Sequence, residues 1–299
     1  MKTESLTACI ALSMIGMGCA GSAPGPEDPT PEIAPVLYIV SMMHAEESTA
    51  FHQNAAVYER HASALEEQRA LFANHGARLD FGPDWTFIEG VKRWDPTQLT
   101  DHLAAGQGLH THAHETQWDL ANVNERLASV GVEGNPIANG GFLEEGPDGS
   151  NWMGYVSSLQ DSAGTPLFST AIGFKNPQTQ IPDSSGTCFR PSVDGDWDVH
   201  DPNGRMLYLG SNSPGVAGEG ALDFETLRSW MDDRLANLDP DAINTLYWHD
   251  SLHKYGQEQD AATRRARWEQ EFDEYLDPLA DAGLIQWATF QEMAAVCAE

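Results

Sequence analysis

From Val36 onward, short runs of β-branched and aromatic residues alternate with stretches whose apolar residues recur every three or four positions. "VLYIVSMMH" has the content of a buried strand. "NAAVYERHASALEEQRALFANHG" follows with helical spacing and a closing Gly. "ARLDFGPDW" reads as strand and turn, and "DPTQLTDHLAAGQG" as a helix with Asp95 as N-cap and Pro96 in its first turn. The alternation continues through "GLHTHAH", "WDLANVNERLASVG", "NPIANGG", "NWMGYVSSLQDSAG" and "LFSTAIGF". After an irregular region come "RMLYLGS", "LDFETLRSWMDDRLANL", "NTLYWHD", a long charged helix around 258–282, and "LIQWATF". Strand–helix alternation over a whole domain predicts a parallel α/β architecture. No Gly-rich loop follows the first strand, which argues against a dinucleotide fold. The expectation is a single, distorted (β/α) barrel of seven to eight parallel strands over residues 36–299. Its chemistry should gather at strand C-terminal ends.

The first 35 residues belong to something else. "MKTESLTACIALSMIGMGC" has a Lys, an apolar run and small residues, as export signals do, and the run is too short to span a bilayer. "GMGC" resembles a lipobox that would lipidate Cys19, with Gly16 where Leu is usual. Residues 1–19 are therefore read as a signal, lipidation giving a membrane-anchored protein facing periplasm or exterior, with plain secretion as the alternative. The Pro-, Gly- and acid-rich residues 20–35 read as a flexible tether. In an oxidising compartment the remaining cysteines, Cys188 and Cys297, are expected to form a disulfide. A net charge of −29, from 45 acidic and 16 basic residues, makes nucleic acid and anionic lipid poor partners. Oligomeric state is not legible.

Polar residues crowd the ends of the apolar runs. His44, Glu46 and Glu47 end the first, and His110, His112 and His114 end the third. Arg190 follows "TCF", and His249 and Asp250 end "NTLYW". Residues two apart in a strand share a face, so the three alternate histidines can point one way. If the strand stops early, His110 and His114 can instead close around one ion. Imidazoles with a carboxylate leave open positions on zinc, as hydrolysis requires, and the same set suits non-haem iron.

"HTHAH" fits the H-[ST]-x-x-H motif of the polysaccharide deacetylases (carbohydrate esterase family 4) through His110, Thr111 and His114. "LYWHD" resembles that family's last motif, "FRP" its Arg-Pro motif, and "DGDW" its Asp-Trp motif. The resemblance runs in the right order over most of residues 36–299. It implies a deacetylase-like barrel, His249 as catalytic acid, and Arg190 as the residue that orients the base. The first motif departs: "SMMHAEES" stands where two aspartates are usual. Glu46 then becomes the metal ligand, beside His110 and His114, and His44 a base or a further ligand.

The implied reaction is amide or ester hydrolysis of an acylated glycan with one divalent metal, zinc foremost. His249 acts as proton donor beside an acid neighbour, Asp250. Trp118 and Trp197 are the candidate sugar-stacking residues. Two other readings stand beside it. One is an amidohydrolase-like enzyme acting on a small amide, and the other a non-catalytic, tethered glycan-binding lipoprotein.

Overall fold

The computed structural model describes residues 35–45, 50–113, 120–133, 135–140, 152–173, 188–192, 199–210, 224–255 and 258–298. Cys19 with the signal and tether up to residue 34, and Glu46, Glu47, His114, Trp118 and Trp197, lie outside the described residues. The strands are β1 (Leu37–His44), β2 (Leu79–Gly82), β3 (Gly108–Leu109), β4 (Thr111–Ala113), β5 (Ile137–Gly140), β6 (Thr170–Gly173), β7 (Cys188–Phe189), β8 (Leu207–Gly210), β9 (Asn244–Ser251) and β10 (Ile285–Trp287). The helices are α1 (Ala55–Asn74), α2 (Trp85–Trp94), α3 (Gln98–Ala104), α4 (Leu120–Ala128), α5 (Trp152–Ser158), α6 (Phe224–Ala236), α7 (Leu252–Tyr255), α8 (Glu258–Glu271), α9 (Asp277–Asp281) and α10 (Phe290–Val296). None of the described helices is long and apolar enough to cross a membrane.

β1 organises the sheet. Along one edge it pairs in parallel with β9, from Leu37↔Asn244 to His44↔Ser251. Its other edge is shared, β10 taking Leu37–Ile39 and β2 taking Ser41–His44. β2 then pairs with β3, and β4 with β5, β6 and β8 in turn, all parallel. The two sheets meet at His110, whose N–H still donates to the Phe81 carbonyl at 3.1 Å before the chain changes partner. β7 lies antiparallel on β8.

Alternation sorts the strand residues into two cores. Ile39, Met43, Leu79, Phe81, Leu246 and Trp248 face the helices, where Phe72, Trp268 and Phe272 cover them. Val40, Met42, Ile137, Ile172, Leu209 and Tyr247 form a second cluster with Phe290 and Met293 of α10. β1 and β6 are not neighbours in the pairing order, so this shared cluster requires the sheet to curl. No pairing joins β8 to β9 among the described residues. What is seen is a curled, parallel α/β sheet rather than a closed barrel of seven or eight strands.

Local chemistry sets the helix limits. Asn54 caps α1 by accepting from Ala56 and Val57 N–H, and Asp84 caps α2 by accepting from Phe87 N–H at 2.7 Å. Sequence periodicity passes over α2, and Asp95 closes that helix instead of opening the next. α3 starts at Gln98, with Thr97 at its N-cap position. The long charged helix is interrupted by a π-helical turn at Phe272–Leu276.

Cys188 on β7 is bonded to Cys297 at the end of α10, across a sequence separation of 109 residues. Closing a loop of this length stabilises by about 4–5 kcal/mol in the chain-entropy model. Reduction should therefore lower the unfolding midpoint of the native chain by several degrees, measured by thermal melts with and without reductant. Two freely labelled thiols in unreduced protein would contradict the bond.

His102 on α3 is fully buried against the Gly108 carbonyl, 3.0 Å from its Nε2, and burial lowers its pKa from 6.5 to about 4. The unfolded chain takes up this proton more readily. The contribution is therefore complete above pH 6.5 and is lost as pH falls toward 4, by up to about 3 kcal/mol. Denaturant melts across that window should show a shallower pH slope in His102→Gln than in the wild type.

Candidate metal centre

Interior-facing positions near the strand ends carry imidazoles in place of apolar groups. On β1 the inward series Val40, Met42 ends at His44, and His110 and His112 face the same interior from the third strand. All three are buried, at 3%, 0% and 2% exposure. His44 Nε2 lies 2.9 Å from His110 Nε2. The His44 ring stacks on His112 at a centroid distance of 3.8 Å. One ligand atom from each of the three lies within 4.8 Å of the others.

Partners behind the rings fix which nitrogen faces inward. Asp80 on β2 accepts from His110 Nδ1–H at 2.6 Å, which leaves the lone pair on Nε2. Asn139 on β5 accepts from His112 Nδ1–H at 3.2 Å, and its own amide donates to Met42 Sδ at 3.9 Å. His112 is thereby held in the same tautomer as His110. Gly82 lies between His44 and His110, and a Cβ there would stand 2.3 Å from His110 Nε2 and 2.7 Å from His44 Cδ2. Gly140, at φ +85°, brings its backbone so close to Ala113 that a Cβ would lie 2.1 Å from that carbonyl oxygen.

This donor set fits a divalent transition ion. Two of the imidazoles have Nδ1–H tied to an acceptor, the usual arrangement behind a metal-ligating His. Tetrahedral zinc ligands at 2.0–2.1 Å stand about 3.3 Å apart, so the 2.9 Å approach of His44 and His110 needs only a small opening. Without an ion, one proton shared between their Nε2 atoms satisfies the same contact. A second His/Asp group, His75 with Asp273 and Asp277, sits on the helical layer, where His75 and Asp277 pair at 2.7 Å.

The residues expected from the sequence are distributed unevenly. His249, near the end of β9, stands beside the centre: its ring is 4.2 Å from that of His44, and it is partly buried, its Nε2 enclosed, where the other three are fully buried. Asp250 faces away from the centre. It accepts from Tyr255 OH at 2.5 Å and from Arg264 at 3.3 Å in the helical layer, where burial raises its pKa against the pull of Arg264. Arg190 is not brought to the histidines. β7 runs antiparallel, so the chain leaves it toward the start of β8, where Arg190 donates to the Gly204 carbonyl at 3.3 Å. Thr111 points to Asn124 on α4, 3.5 Å away. Glu46 and His114, the other two expected ligands, lie outside the described residues, as do both sugar-stacking candidates. His112, singled out only as one of the triplet, completes the three-histidine group that could hold an ion. Asp80, Gly82 and Asn139 were not read from the sequence. Their signal was a polar or Gly residue at inward parity in "LDFG" and "IANG".

No protein-family model matches the chain, and no curated protein matches it in sequence. Solved structures match in fold. A provisionally assigned polysaccharide deacetylase from Mycobacterium smegmatis superposes at a TM-score of 0.53 and 13% identity, over 92% of this chain and 94% of that one. A 4-alpha-glucanotransferase from Thermococcus litoralis superposes at 0.53 and 12%, over 87% of this chain. The chain spans only 40% of the glucanotransferase's length. At these identities the likeness is one of fold alone.

Gly82→Ala tests the packing of the centre directly. The added methyl should force the two imidazoles apart, costing about 1–3 kcal/mol of stability by overpacking. Affinity for Zn²⁺ should fall by about 10–100-fold, as other disturbances of ligand orientation cause. Calorimetric titration of wild type and variant would check both, and wild-type affinity in a folded variant would contradict the geometry.

Proposed function

We propose that the chain is an exported, metal-dependent hydrolase that removes acyl groups, acetyl foremost, from a polysaccharide or a related amide or ester. The observation that carries this reading is the buried His44–His110–His112 group near parallel strand ends, with a partly buried His249 against it. The fold likeness to the polysaccharide deacetylase structure from Mycobacterium smegmatis supports it. A divalent ion, zinc foremost, held by these three histidines would lower the pKa of a bound water and polarise the acyl carbonyl.

The chain's own groups supply the rest. Asp80 and Asn139 hold His110 and His112 with Nε2 inward. His249 stands against the His44 ring at the edge of the centre, and when protonated it would donate to the leaving amine or alcohol. The acid-neighbour role read for Asp250 is dropped, because its carboxylate is engaged on the opposite face of β9. Glu46 and His114 follow His44 and His112 by two residues each and are the sequence's candidate metal ligands beside His110. The apolar N-terminal run and Cys19 support export and lipid anchoring. The large negative charge argues for a glycan partner over nucleic acid or anionic lipid.

His249→Ala should keep its metal and lose about 10²–10⁴ in rate, the usual worth of a positioned proton donor. Acetate release from acetylated chito- and xylo-oligosaccharides, with metal content measured on the same samples, checks this. Binding without any acetate release by the wild type would favour the glycan-binding reading. A fully active His249→Ala would overturn the role given to that residue.

A further inference from the structure

Asp80 is a carboxylate at 0% exposure, and His110 is its ion-pair partner among the described residues. Burying such a charge is costly unless donors meet its oxygens. Two donors do: His110 Nδ1–H reaches Oδ1 at 2.6 Å and the Phe290 N–H reaches Oδ2 at 2.9 Å. Gly108 makes the room, since a Cβ there would stand 2.0 Å from Oδ2.

A structural explanation is available and falls short. Asp80 touches the first residue of α10, as a helix cap would. But α10 already has a complete capping box: Thr289 Oγ1 accepts from Glu292 N–H at 3.1 Å, and Glu292 accepts from Thr289 N–H at 2.7 Å. The box leaves the Phe290 N–H to Asp80, and that accounts for one carboxylate oxygen but not for the one on His110. What the acid does uniquely is bind Nδ1 of the one imidazole whose other nitrogen meets His44.

We propose that Asp80 is the positioning residue of the metal centre: it holds His110 as the Nδ1–H tautomer, aims the Nε2 lone pair into the three-histidine pocket and strengthens it as a donor to a divalent cation. This rests on the metal reading above. The Phe290 N–H meets the second carboxylate oxygen.

The full chain is titrated with Zn²⁺ as wild type, Asp80→Asn and Thr289→Ala, and the tautomer of His110 is read in the metal-free wild type by ¹⁵N–¹H correlation of the imidazoles. Asp80→Asn should bind Zn²⁺ about 10–100-fold more weakly. Thr289→Ala, which loosens the same helix without touching His110, should bind as the wild type does. His110 should carry its proton on Nδ1 before zinc is added. Equal losses in both variants, unchanged affinity in a folded Asp80→Asn, or an Nε2–H tautomer would each overturn the proposal. If Asp80→Asn does not fold, the wild-type tautomer still decides it. A wild type that takes up no zinc overturns the metal reading itself, and the tautomer then separately decides whether Asp80 holds His110.

Discussion

The approach of His44 and His110 across Gly82 is the contact on which the rest of the site depends. β2 runs between the two strands that carry these histidines, and it ends in the one residue whose lack of a Cβ lets their rings meet at 2.9 Å. Any side chain there would occupy the volume of the imidazoles. The third strand is interrupted at the same residue. At His110 the chain gives up β2 and takes β5, so His110 faces Asp80 while His112 faces Asn139. One change of partner supplies two imidazoles with different anchors.

Strand alternation then separates the two charge systems. Inward positions hold the histidines with Asp80 and Asn139. Outward positions hold Asp250, bonded to Tyr255 and Arg264, with Trp268 donating to the Tyr255 hydroxyl at 2.8 Å. The outer set ties β9 to α7 and α8 and has no part in the centre. Adjacent residues such as His249 and Asp250 are therefore neighbours in sequence only. The interior below the histidines is apolar, filled by Met42, Ile137 and Phe290. Phe290 lies edge-on to His110 with ring centroids 5.6 Å apart. The histidines thus stand on packed hydrocarbon, which limits their movement.

Much of this was legible in the sequence. Alternating strand and helix patterns gave a parallel α/β sheet, and the rule that chemistry gathers at strand ends located His44, His110, His112 and His249. The choice between His112 and His114 was not legible, because motif spacing favours one and strand alternation the other. Arg190 misled because a two-residue strand carries no signal of its direction, and only the antiparallel pairing shows that the chain turns away. Asp80 and Gly82 were invisible for a different reason. Each is an ordinary turn-forming residue in "LDFG" until the curl of the sheet places one behind His110 and the other between two rings. Asp95 before Pro96 satisfied the rules for a helix start, while the unread α2 claimed it as a terminus.

The most direct test of the three-histidine centre is the divalent metal content of the purified chain, compared among the wild type, His112→Ala and His114→Ala. The geometry predicts one bound ion per chain in the wild type and its loss in His112→Ala, because that ring supplies the third donor of the cluster. An ion retained in His112→Ala but lost in His114→Ala would contradict the account and move the centre to the alternative spacing.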